Sequence, residues 1–491
     1  MLGSAGIAHA APPAAKVSLS VSPSGVALGK TVTVSGAVTA GGRPIAERVR
    51  VLGMPSGEDR WVQLSAVTAG TNGKWSVVIK PTTSYKLKAE VSATSAHAAG
   101  SSPYVSLAVQ AQLYSVTPSS QSFAVAGSEK TMTAAVHALV GGQRVKLTVQ
   151  RDGKWIDSTV TRVAADGTIT LHYLVKTGDT ALRIYLPAAR GLVSKLGPIV
   201  PITTVASVEA LSAKTKCVGA AGSPAPGACS NPLLTGLALP TTAHAGLTGD
   251  TGGSYAKGCW TATPTVPVPT CAYGSTRKDA YRIALVGDSH AAGYVAGLRD
   301  RLAARNWHMD TFLGITCRWL AQPAGDECAP RSADISKRIL TGKYDMVVVS
   351  GLRQPRGPSG DAAAAGITAG YKAAWAPVLA TGTKVVAIAD QPMLTDELIA
   401  CTTNVGAMAA SKCTTPRSFG MGGIDPMIDA VAGSPGASLV DLTSHYCTAD
   451  TCPLVIGGVI VFRDRHHISG TWSRTLGPYV IDALDRIRRG A

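Results

Sequence analysis

Two short segments, far apart in the chain, carry residues that could act together on an ester. Residues 282–290 form an apolar run that ends in Gly287-Asp288-Ser289-His290. The apolar positions after it recur at helical spacing, which predicts a strand, a tight turn and a helix. Ser289 would then lie near a helix N-terminus, where backbone N–H groups can stabilise an oxyanion. Ser289 is therefore a candidate nucleophile.

A nucleophilic serine needs a base, and the base needs an orienting group. Residues 462–469 supply both, because Asp464 and His467 stand in a D-x-x-H arrangement. Asp464 could accept a proton from one ring nitrogen of His467, which leaves the other nitrogen to face Ser289. Each motif alone is common. Together, one after the first strand of an α/β pattern and one before the last helix, they predict a Ser289–His467–Asp464 triad.

Three polar neighbours of the triad have weaker assignments. Asp288 is expected to hold the turn through hydrogen bonds to backbone N–H groups, and the alternative is that it steers substrate. His290 is expected to cap the turn or to support the site without taking part in catalysis. His466 is expected to face away from it.

These residues resemble the SGNH (GDSL-like) hydrolase superfamily. They are more narrowly similar to the extracytoplasmic SGNH domain that many bacterial membrane O-acyltransferases carry. Further stretches look like patterns of that narrower group: residues 388–392 followed by Cys401, residues 440–443 followed by Cys447 and Cys452, and residues 471–478. The resemblance covers roughly residues 206–491.

The resemblance also implies donors for an oxyanion. The backbone N–H of Ser289 would be one donor, and Gly314 matches the oxyanion glycine of the superfamily. A third donor is normally an Asn, but Arg353 stands at that place here. Arg353 could still donate to an oxyanion or bind an acidic substrate, and the narrower group often lacks the Asn too. The third donor is therefore left open.

The ten cysteines all fall in the part of the chain that carries the predicted triad, between residues 217 and 452. Their clustering and even number favour disulfides and an oxidising compartment. Zinc is disfavoured, because no C-x-x-C spacing or finger-spaced histidine occurs, and no other metal or cofactor is expected. Sequence alone does not fix the connectivity, but the simplest prediction is sequential pairing: Cys217–Cys229, Cys259–Cys271, Cys317–Cys328, Cys401–Cys413 and Cys447–Cys452.

The first two-fifths of the chain has a different pattern. Short runs with alternating apolar and polar residues, separated by Gly, Pro, Asn and Ser, predict antiparallel β-sandwiches. Residues 17–110 would form one and residues 111–205 a second, since Trp61 and Trp155 recur at an offset of 94 (155−61). These runs resemble Ig-like modules of secreted bacterial proteins. They would act as spacers, or bind glycan through exposed aromatics such as Trp61 or Trp75.

The rest of the chain predicts an α/β/α three-layer domain over residues 206–491. Residues 206–280 are rich in Pro, Gly and Cys and are assigned to it as a disulfide-stapled extension. From residue 282 strands and helices alternate, which predicts a central parallel sheet with Ser289 at the carboxyl end of a strand. The chain is thus expected to be multidomain, with two all-β Ig-like sandwiches before the α/β/α domain.

The N-terminus and the charge bear on where the protein acts. Residues 1–16 look like the remnant of a secretory signal, with an A-x-A site at Ala8-His9-Ala10, and no apolar run reaches the length of a transmembrane helix. The formal net charge of +16 fits a basic solvated surface or attraction to an anionic polymer. No nucleic-acid-binding motif accompanies it, so nucleic acid is disfavoured. A secreted or cell-wall-associated protein is expected.

Three functions are compatible with these observations. The first is an extracytoplasmic O-acyltransferase, most simply an O-acetyltransferase, that acts on a cell-envelope polysaccharide and receives acyl groups from a separate membrane protein. The second is a carbohydrate O-acetyl esterase with the same triad, in which water resolves the acyl-enzyme. The third is a non-catalytic glycan-binding or adhesion protein with a degenerate SGNH domain.

Overall fold

A computed structural model describes residues 11–224, 229–242, 244–315, 317–403 and 412–490. The proposed A-x-A site at residues 8–10 lies outside these residues. Contacts divide the chain into two compact units. The first comprises Met1–Ser119, Thr133–Leu171 and Ala181–Val200, and the second comprises Ser120–Met132, His172–Thr180 and Pro201–Ala491. The second unit thus takes in two segments that lie within the predicted second sandwich.

The described residues between 11 and 200 form an all-β region that is interrupted only by one short 3-10 helix, as predicted. Alternate residues along the strands are buried, so that Leu87, Ala89 and Val91 are shielded while the residues between them are not. Trp75 is also buried, so the prediction that it is an exposed glycan-binding aromatic is wrong. The strands described before residue 111 are β1 Ala15–Val17, β2 Ser20–Ser22, β3 Gly25–Ala27, β4 Val32–Ala40, β5 Arg43–Pro44, β6 Arg48–Pro55, β7 Val62–Thr68, β8 Lys74–Ile79, β9 Tyr85–Val91, β10 Gly100–Ser101 and β11 Val105–Gln110.

Most of the next strands also pair antiparallel, although Ser122–Val125 pairs with Val200–Val205 in parallel. For example, β15 and β16 form a hairpin, and both turn residues, Asp152 and Gly153, have positive φ, as a tight two-residue turn requires. The strands from residue 111 to residue 205 are β12 Tyr114–Thr117, β13 Ser122–Val125, β14 Glu129–Ala135, β15 Arg144–Arg151, β16 Lys154–Arg162, β17 Thr168–Leu174, β18 Asp179–Leu186, β19 Lys195–Leu196 and β20 Val200–Val205.

A mainly parallel sheet forms the centre of the C-terminal part. Its order is β22-β25-β24-β26-β27-β29, all parallel, and β23 adds to β25 antiparallel. The apolar run that predicted a buried strand is β24, whose residues from Ile283 to Val286 are fully buried. The strands are β21 Leu237–Ala238, β22 Trp260–Thr261, β23 Ala272–Gly274, β24 Tyr281–Gly287, β25 Trp307–Gly314, β26 Met346–Ser350, β27 Lys384–Ile388, β28 Thr414–Pro416, β29 Ala437–Val440, β30 Thr451–Pro453, β31 Val455–Ile456 and β32 Val459–Ile460.

Helices flank this sheet. The described α-helices are α1 Val208–Lys214, α2 His244–Thr248, α3 Ser289–Ala292, α4 Val295–Leu302, α5 Ala329–Gly342, α6 Pro358–Leu379, α7 Asp396–Thr403, α8 Arg417–Gly420, α9 Pro426–Ala432, α10 Thr443–Tyr446 and α11 Gly470–Arg489. Short 3-10 helices occur at Ala138–Val140, Gly219–Gly222, Pro232–Leu234 and Ala303–Arg305. Among the described residues, no helix combines the length and the apolar character that crossing a bilayer requires.

Helix α4, which follows Ser289 in the chain, packs closely against α11, which follows the D-x-x-H segment. The helices meet at glycines, since a Cβ on Gly477 would lie 2.0 Å from the carbonyl oxygen of Gly297, and a Cβ on Gly297 would lie 2.3 Å from that of Ser473. α11 begins directly after residues 462–469, because the Ser469 side chain accepts a hydrogen bond from the N–H of Trp472 at 3.0 Å. The contact therefore fixes the D-x-x-H segment relative to the helices that follow Ser289.

The structure pairs the ten cysteines sequentially. The disulfides are Cys217–Cys229, Cys259–Cys271, Cys317–Cys328, Cys401–Cys413 and Cys447–Cys452, as the spacing predicted. The Cys259–Cys271 bond joins the segment at β22 to the segment at β23 and so ties the extension before β24 to the sheet.

Candidate active site

The serine lies on a sharp turn at the carboxyl end of β24. Gly287 ends the strand with φ of 147°, and a Cβ there would lie 2.1 Å from the carbonyl oxygen of Ser350 on the neighbouring strand, so only glycine fits. Asp288 then holds the turn, because one carboxylate oxygen accepts the N–H of His290 at 2.9 Å and the other accepts that of Leu352 at 3.0 Å. This is the turn-holding arrangement that the sequence predicted for Asp288.

The three residues of the predicted triad lie in one hydrogen-bonded line. Nε2 of His467 is 2.8 Å from Oγ of Ser289. Nδ1 of His467 is 2.8 Å from Oδ2 and 2.9 Å from Oδ1 of Asp464. A proton on Nδ1, shared with the carboxylate, leaves a lone pair on Nε2 directed at the serine hydroxyl. The arrangement can therefore remove the proton of Ser289.

Asp464 is held as an anion. Its Oδ1 also accepts the backbone N–H groups of His466 at 3.1 Å and His467 at 2.9 Å, and Arg463 lies 3.3 Å from Oδ2. Burial opposes ionisation, but the hydrogen bond and charge of His467, together with these N–H groups, hold the pKa of Asp464 well below its usual range. The carboxylate can thus stabilise an imidazolium on His467 throughout the neutral pH range.

A cavity of about 610 Å³ opens over the serine. Its size is within the range that small-molecule sites usually have. Tyr255 and Trp260 form an aromatic wall, with ring centroids 4.6 Å apart and the rings edge to face. The lining residues are Tyr255, Trp260, Asp288, Ser289, Ile315, Arg318, Leu352, Gln354, Arg463, His466 and His467.

Gly314 lies beside the serine turn. Gly287 pairs with Leu313 across the parallel strands β24 and β25, so Gly314, the last residue of β25, lies next to Asp288, the first residue after β24. A Cβ on Gly314 would lie 2.3 Å from a guanidinium nitrogen of Arg331, which is fully buried. Nε and Nη2 of Arg331 have no hydrogen-bond partner in the described part of the chain. The glycine thus allows a buried cation to approach the edge of the site.

The structure does not bring the side chain of Arg353 to the cavity. The guanidinium turns inward, where it donates to the carbonyl oxygens of Asp390 at 2.5 Å and of Met421 at 3.1 Å. The arginine that lines the cavity near the serine is instead Arg318, which no motif in the sequence singled out. Arg318 donates to the carbonyl oxygen of Leu352 at 2.6 Å, and its Nε lies 3.8 Å from Asp288.

Two further histidines reach the site. The expectation that His466 faces away is wrong, because it lines the cavity and its Nδ1 is 3.0 Å from Nε2 of His290. His290 in turn is bonded to the buried Asp390. The sequence carried a hint of this contact, since Asp390 lies in a stretch similar to a family pattern, but it did not show which side chain the carboxylate meets.

Metal binding was not expected from the sequence. Among the described residues, one group with suitable ligand atoms is His290, His466 and His467, whose nitrogens lie within 4.8 Å of one another. Three of these nitrogens are already hydrogen-bonded, since Nε2 of His290 pairs with Nδ1 of His466 and Nε2 of His467 pairs with Ser289. The geometry therefore fits proton transfer between neighbouring groups.

Comparison with known proteins agrees with the C-terminal fold. Residues 258–482 match the family model described as "SGNH domain (fused to AT3 domains)", which confirms the resemblance predicted for this part of the chain. No curated protein matches. One similar solved structure is the periplasmic domain of a lipopolysaccharide acetyltransferase of Salmonella ser. Paratyphi A, which is 13% identical with a TM-score of 0.34, and the match covers 43% of this chain and 85% of that one.

Two other similar structures come from adhesion proteins. One is a tetra-tandem repeat in the extending region of a large adhesion protein, at 18% identity and a TM-score of 0.22, and the match covers 38% of this chain and 48% of that one. The other is the adhesin InvE of Yersinia pseudotuberculosis, at 11% identity and a TM-score of 0.20, with 38% and 58% covered. The chain spans about half the length of these two structures.

Proposed function

We propose that this chain, with its SGNH domain at residues 258–482, is an extracytoplasmic serine-dependent O-acyltransferase, most simply an O-acetyltransferase, that acts on a cell-envelope polysaccharide. The observation that carries the proposal is the aligned triad. Oγ of Ser289 is 2.8 Å from Nε2 of His467, and Nδ1 of His467 is 2.8 Å from Asp464. A hydroxyl, an imidazole and a carboxylate in this order form the machinery of acyl transfer.

The reaction has two halves. Ser289 attacks the carbonyl carbon of an acyl donor as His467 takes its proton, and the donor alcohol leaves an acyl-enzyme. A hydroxyl of the acceptor sugar then attacks the same carbon and restores the serine. In each half the backbone N–H groups of Ser289 and Gly314 are the proposed donors to the oxyanion, since Gly314 ends β25 beside the serine turn.

The cavity wall fits a sugar acceptor. Tyr255 and Trp260 offer aromatic surface with a polar edge, because the hydroxyl of Tyr255 accepts a hydrogen bond from Arg463 at 2.9 Å. Arg318 and Gln354 supply donors from another side of the cavity. Apolar faces combined with a few fixed polar groups suit a ring with axial C–H groups and several hydroxyls.

The acyl source and the location follow from other features. Since the matched domain is described as fused to AT3 domains, we assign the acyl supply to a membrane acyl-donor protein. Five disulfides favour an oxidising compartment outside the cytoplasm. The formal net charge of +16 favours association with an acidic envelope glycan, whose encounter rate should fall as salt is raised.

A fluorophosphonate probe and an acceptor assay test the proposal together. The wild type should be labelled and should move acetyl from a chromogenic ester to a sugar acceptor, while Ser289→Ala should do neither. Ser444→Ala, an exposed serine that is not part of the cavity lining, is the matched control and should behave as wild type. Label without acetylated sugar indicates an esterase. Absence of both from folded wild type indicates a non-catalytic binding protein.

A further inference from the structure

A second row of hydrogen-bonded side chains, made of one carboxylate and two imidazoles, lies beside the triad and reaches the same cavity. Oδ1 of Asp390 is 2.5 Å from Nδ1 of His290, and Nε2 of His290 is 3.0 Å from Nδ1 of His466. The side chains of Asp390 and His290 are completely shielded from solvent, whereas His466 lines the cavity together with Ser289. This hydrogen-bonded row therefore runs from a carboxylate in the interior to an imidazole at the cavity wall.

Asp390 is surrounded by groups that favour its anion. Its Oδ2 accepts the backbone N–H of Arg353 at 2.7 Å, its Oδ1 accepts that of Gln391 at 3.0 Å, and Nε of Arg353 lies 3.5 Å away. Burial opposes ionisation, but His290 and Arg353 hold the pKa of Asp390 below its ordinary value. A buried carboxylate held in this way stabilises a positive charge on the ring that it faces.

That ring is His290. Burial disfavours its charged form, but the charge and the hydrogen bond of Asp390, with a smaller contribution from Asp288, outweigh burial and the opposing charge of Arg318. The pKa of His290 is therefore raised. A protonated His290 donates from Nδ1 to Asp390 and from Nε2 to Nδ1 of His466.

His466 is held neutral by contrast. Burial lowers its pKa, the charges of His467 and His290 lower it further, and Asp464 and Asp390 only partly compensate, so the value falls to about 4. With Nδ1 accepting from His290, the proton of a neutral His466 sits on Nε2. That nitrogen has no hydrogen-bond partner among the described residues, so its N–H is available to an oxygen of a bound ligand.

We propose that His466 is a second catalytic residue, which exchanges a proton with the leaving and the attacking oxygens while His467 keeps the proton of Ser289. The buried pair Asp390–His290 supplies the proton to His466 and takes it back. This inference rests on the proposed function, because it assigns the proton transfers of the same acyl-transfer reaction.

The first half of the reaction moves two protons. Oγ of Ser289 bonds to the acyl carbon as its proton passes to Nε2 of His467. The bond between the acyl carbon and the donor oxygen breaks, and that oxygen takes the proton from Nε2 of His466. The proton on Nε2 of His290 then moves to Nδ1 of His466. The acyl-enzyme carries its positive charge on His467, and His290 is neutral.

The second half reverses these transfers. The acceptor oxygen bonds to the acyl carbon and gives its proton to Nε2 of His466, whose Nδ1 proton returns to His290. The ester bond to Ser289 breaks, and Oγ regains its proton from His467. No stage requires charge on both His466 and His467, whose ring centroids are only 4.0 Å apart. Like charges at that separation would repel strongly in a partly buried site.

Two acetyl esters that differ in their leaving group test the assignment. A p-nitrophenolate leaves as a stable anion and needs no proton, whereas the alkoxide of a sugar acetate needs one. His466→Asn should therefore lower acylation by the sugar acetate about 100-fold, the usual contribution of a general acid, and the p-nitrophenyl acetate burst by no more than about three-fold. Equal losses with both esters would show a purely structural role and overturn the proposal.

Matched variants guard against trivial effects. His308→Asn removes another histidine that is paired with a carboxylate, at 3.1 Å from Asp310, but is not part of the cavity lining, so wild-type rates with both esters are expected. Asp390→Asn should give the same split between esters as His466→Asn. His466→Gln replaces His466→Asn if thermal unfolding shows that the latter does not fold.

A spectroscopic measurement does not depend on turnover. Nitrogen-15 spectra of histidine-labelled protein should show His290 as a cation and His466 as a neutral Nε2–H tautomer at pH 7. A neutral His290 overturns the proposal even if the enzyme is active. Failure of the transferase proposal gives a different result, because wild type then forms no acetylated sugar. The different effects of His466→Asn on the two esters can still be measured from their hydrolysis.

Discussion

Replacing Asp464 by Asn should abolish turnover and leave the fold intact. The two oxygens of the carboxylate have different partners. Oδ1 accepts the backbone N–H groups of His466 and His467, while Oδ2 is the closer of the two to Nδ1 of His467, at 2.8 Å. An Asn keeps both backbone hydrogen bonds only if its carbonyl oxygen occupies the place of Oδ1. Its NH₂ group must then occupy the place of Oδ2.

The NH₂ group in that place reverses the hydrogen bond to the ring. It donates to Nδ1 of His467, so the proton of the neutral imidazole moves to Nε2. Nε2 lies 2.8 Å from Oγ of Ser289 and, once protonated, cannot take the serine proton. In other Ser-His-Asp enzymes the wrong tautomer lowers kcat about 10⁴-fold, which corresponds to about 5.5 kcal/mol in the activation free energy.

Pre-steady-state hydrolysis of p-nitrophenyl acetate measures this loss directly, because the burst reports acylation of Ser289. Asp441→Asn is the matched control, since this exposed carboxylate likewise accepts a backbone N–H, from Thr443 at 2.8 Å, but is not part of the cavity lining. The control should be as active as wild type. If Asp464→Asn unfolds at the wild-type temperature and keeps more than about a tenth of the burst rate, Asp464 does not set the tautomer, and the assigned triad is incorrect.

For three other substitutions the structure predicts whether stability or substrate binding should increase or decrease. Arg331 is a buried cation, and burial lowers its pKa to about 10 although the charge of Asp334 opposes this shift. Arg331→Met should therefore raise the free energy of unfolding in urea by roughly 1–4 kcal/mol. A lower free energy of unfolding would mean that the guanidinium has a favourable partner. Burial lowers the pKa of Lys130 to about 7, whereas the unfolded value is about 10.4. Between these pH values the unfolded chain therefore binds more protons than the folded one. The free energy of unfolding should then rise with pH by up to about 1.4 kcal/mol per pH unit. Lys130→Met should abolish that slope in unfolding measured at pH 7, 8 and 9, and an unchanged slope would assign it to other groups. Trp260→Ala should raise the KM for a sugar acceptor about ten-fold with an unchanged p-nitrophenyl acetate burst, and an unchanged KM would place the acceptor elsewhere.

Local sequence was sufficient for the parts of the site that depend on neighbouring residues. The apolar run of β24 and the glycine after it predicted the strand and the turn, because burial and positive φ leave direct marks on composition. The D-x-x-H spacing predicted the contact between Asp464 and His467, because a carboxylate can reach a ring three residues later in the chain. Sequential cysteine pairing was also a prediction from short separations.

The orientations that failed depend on distant residues. Arg353 was a candidate either to donate to an oxyanion or to bind an acidic substrate, but Asp390, 37 residues later, accepts its backbone N–H, and the guanidinium turns inward with it. His466 was expected to face away because it precedes the proposed base. Oδ1 of Asp464 instead accepts the N–H groups of both histidines, and this tight turn presents both rings on the side of Ser289.

The contact between α4 and α11 explains how residues separated by 178 positions reach hydrogen-bond distance. Ser289 lies just before α4 in the chain, and His467 lies just before α11. Because Gly297 and Gly477 carry no Cβ, the helix backbones approach so closely that a Cβ on Gly477 would lie 2.0 Å from the carbonyl oxygen of Gly297. A catalytic geometry tolerates errors of well under about 1 Å before the rate falls. The two glycines therefore belong to the functional pattern as much as the triad does, although neither one touches a substrate.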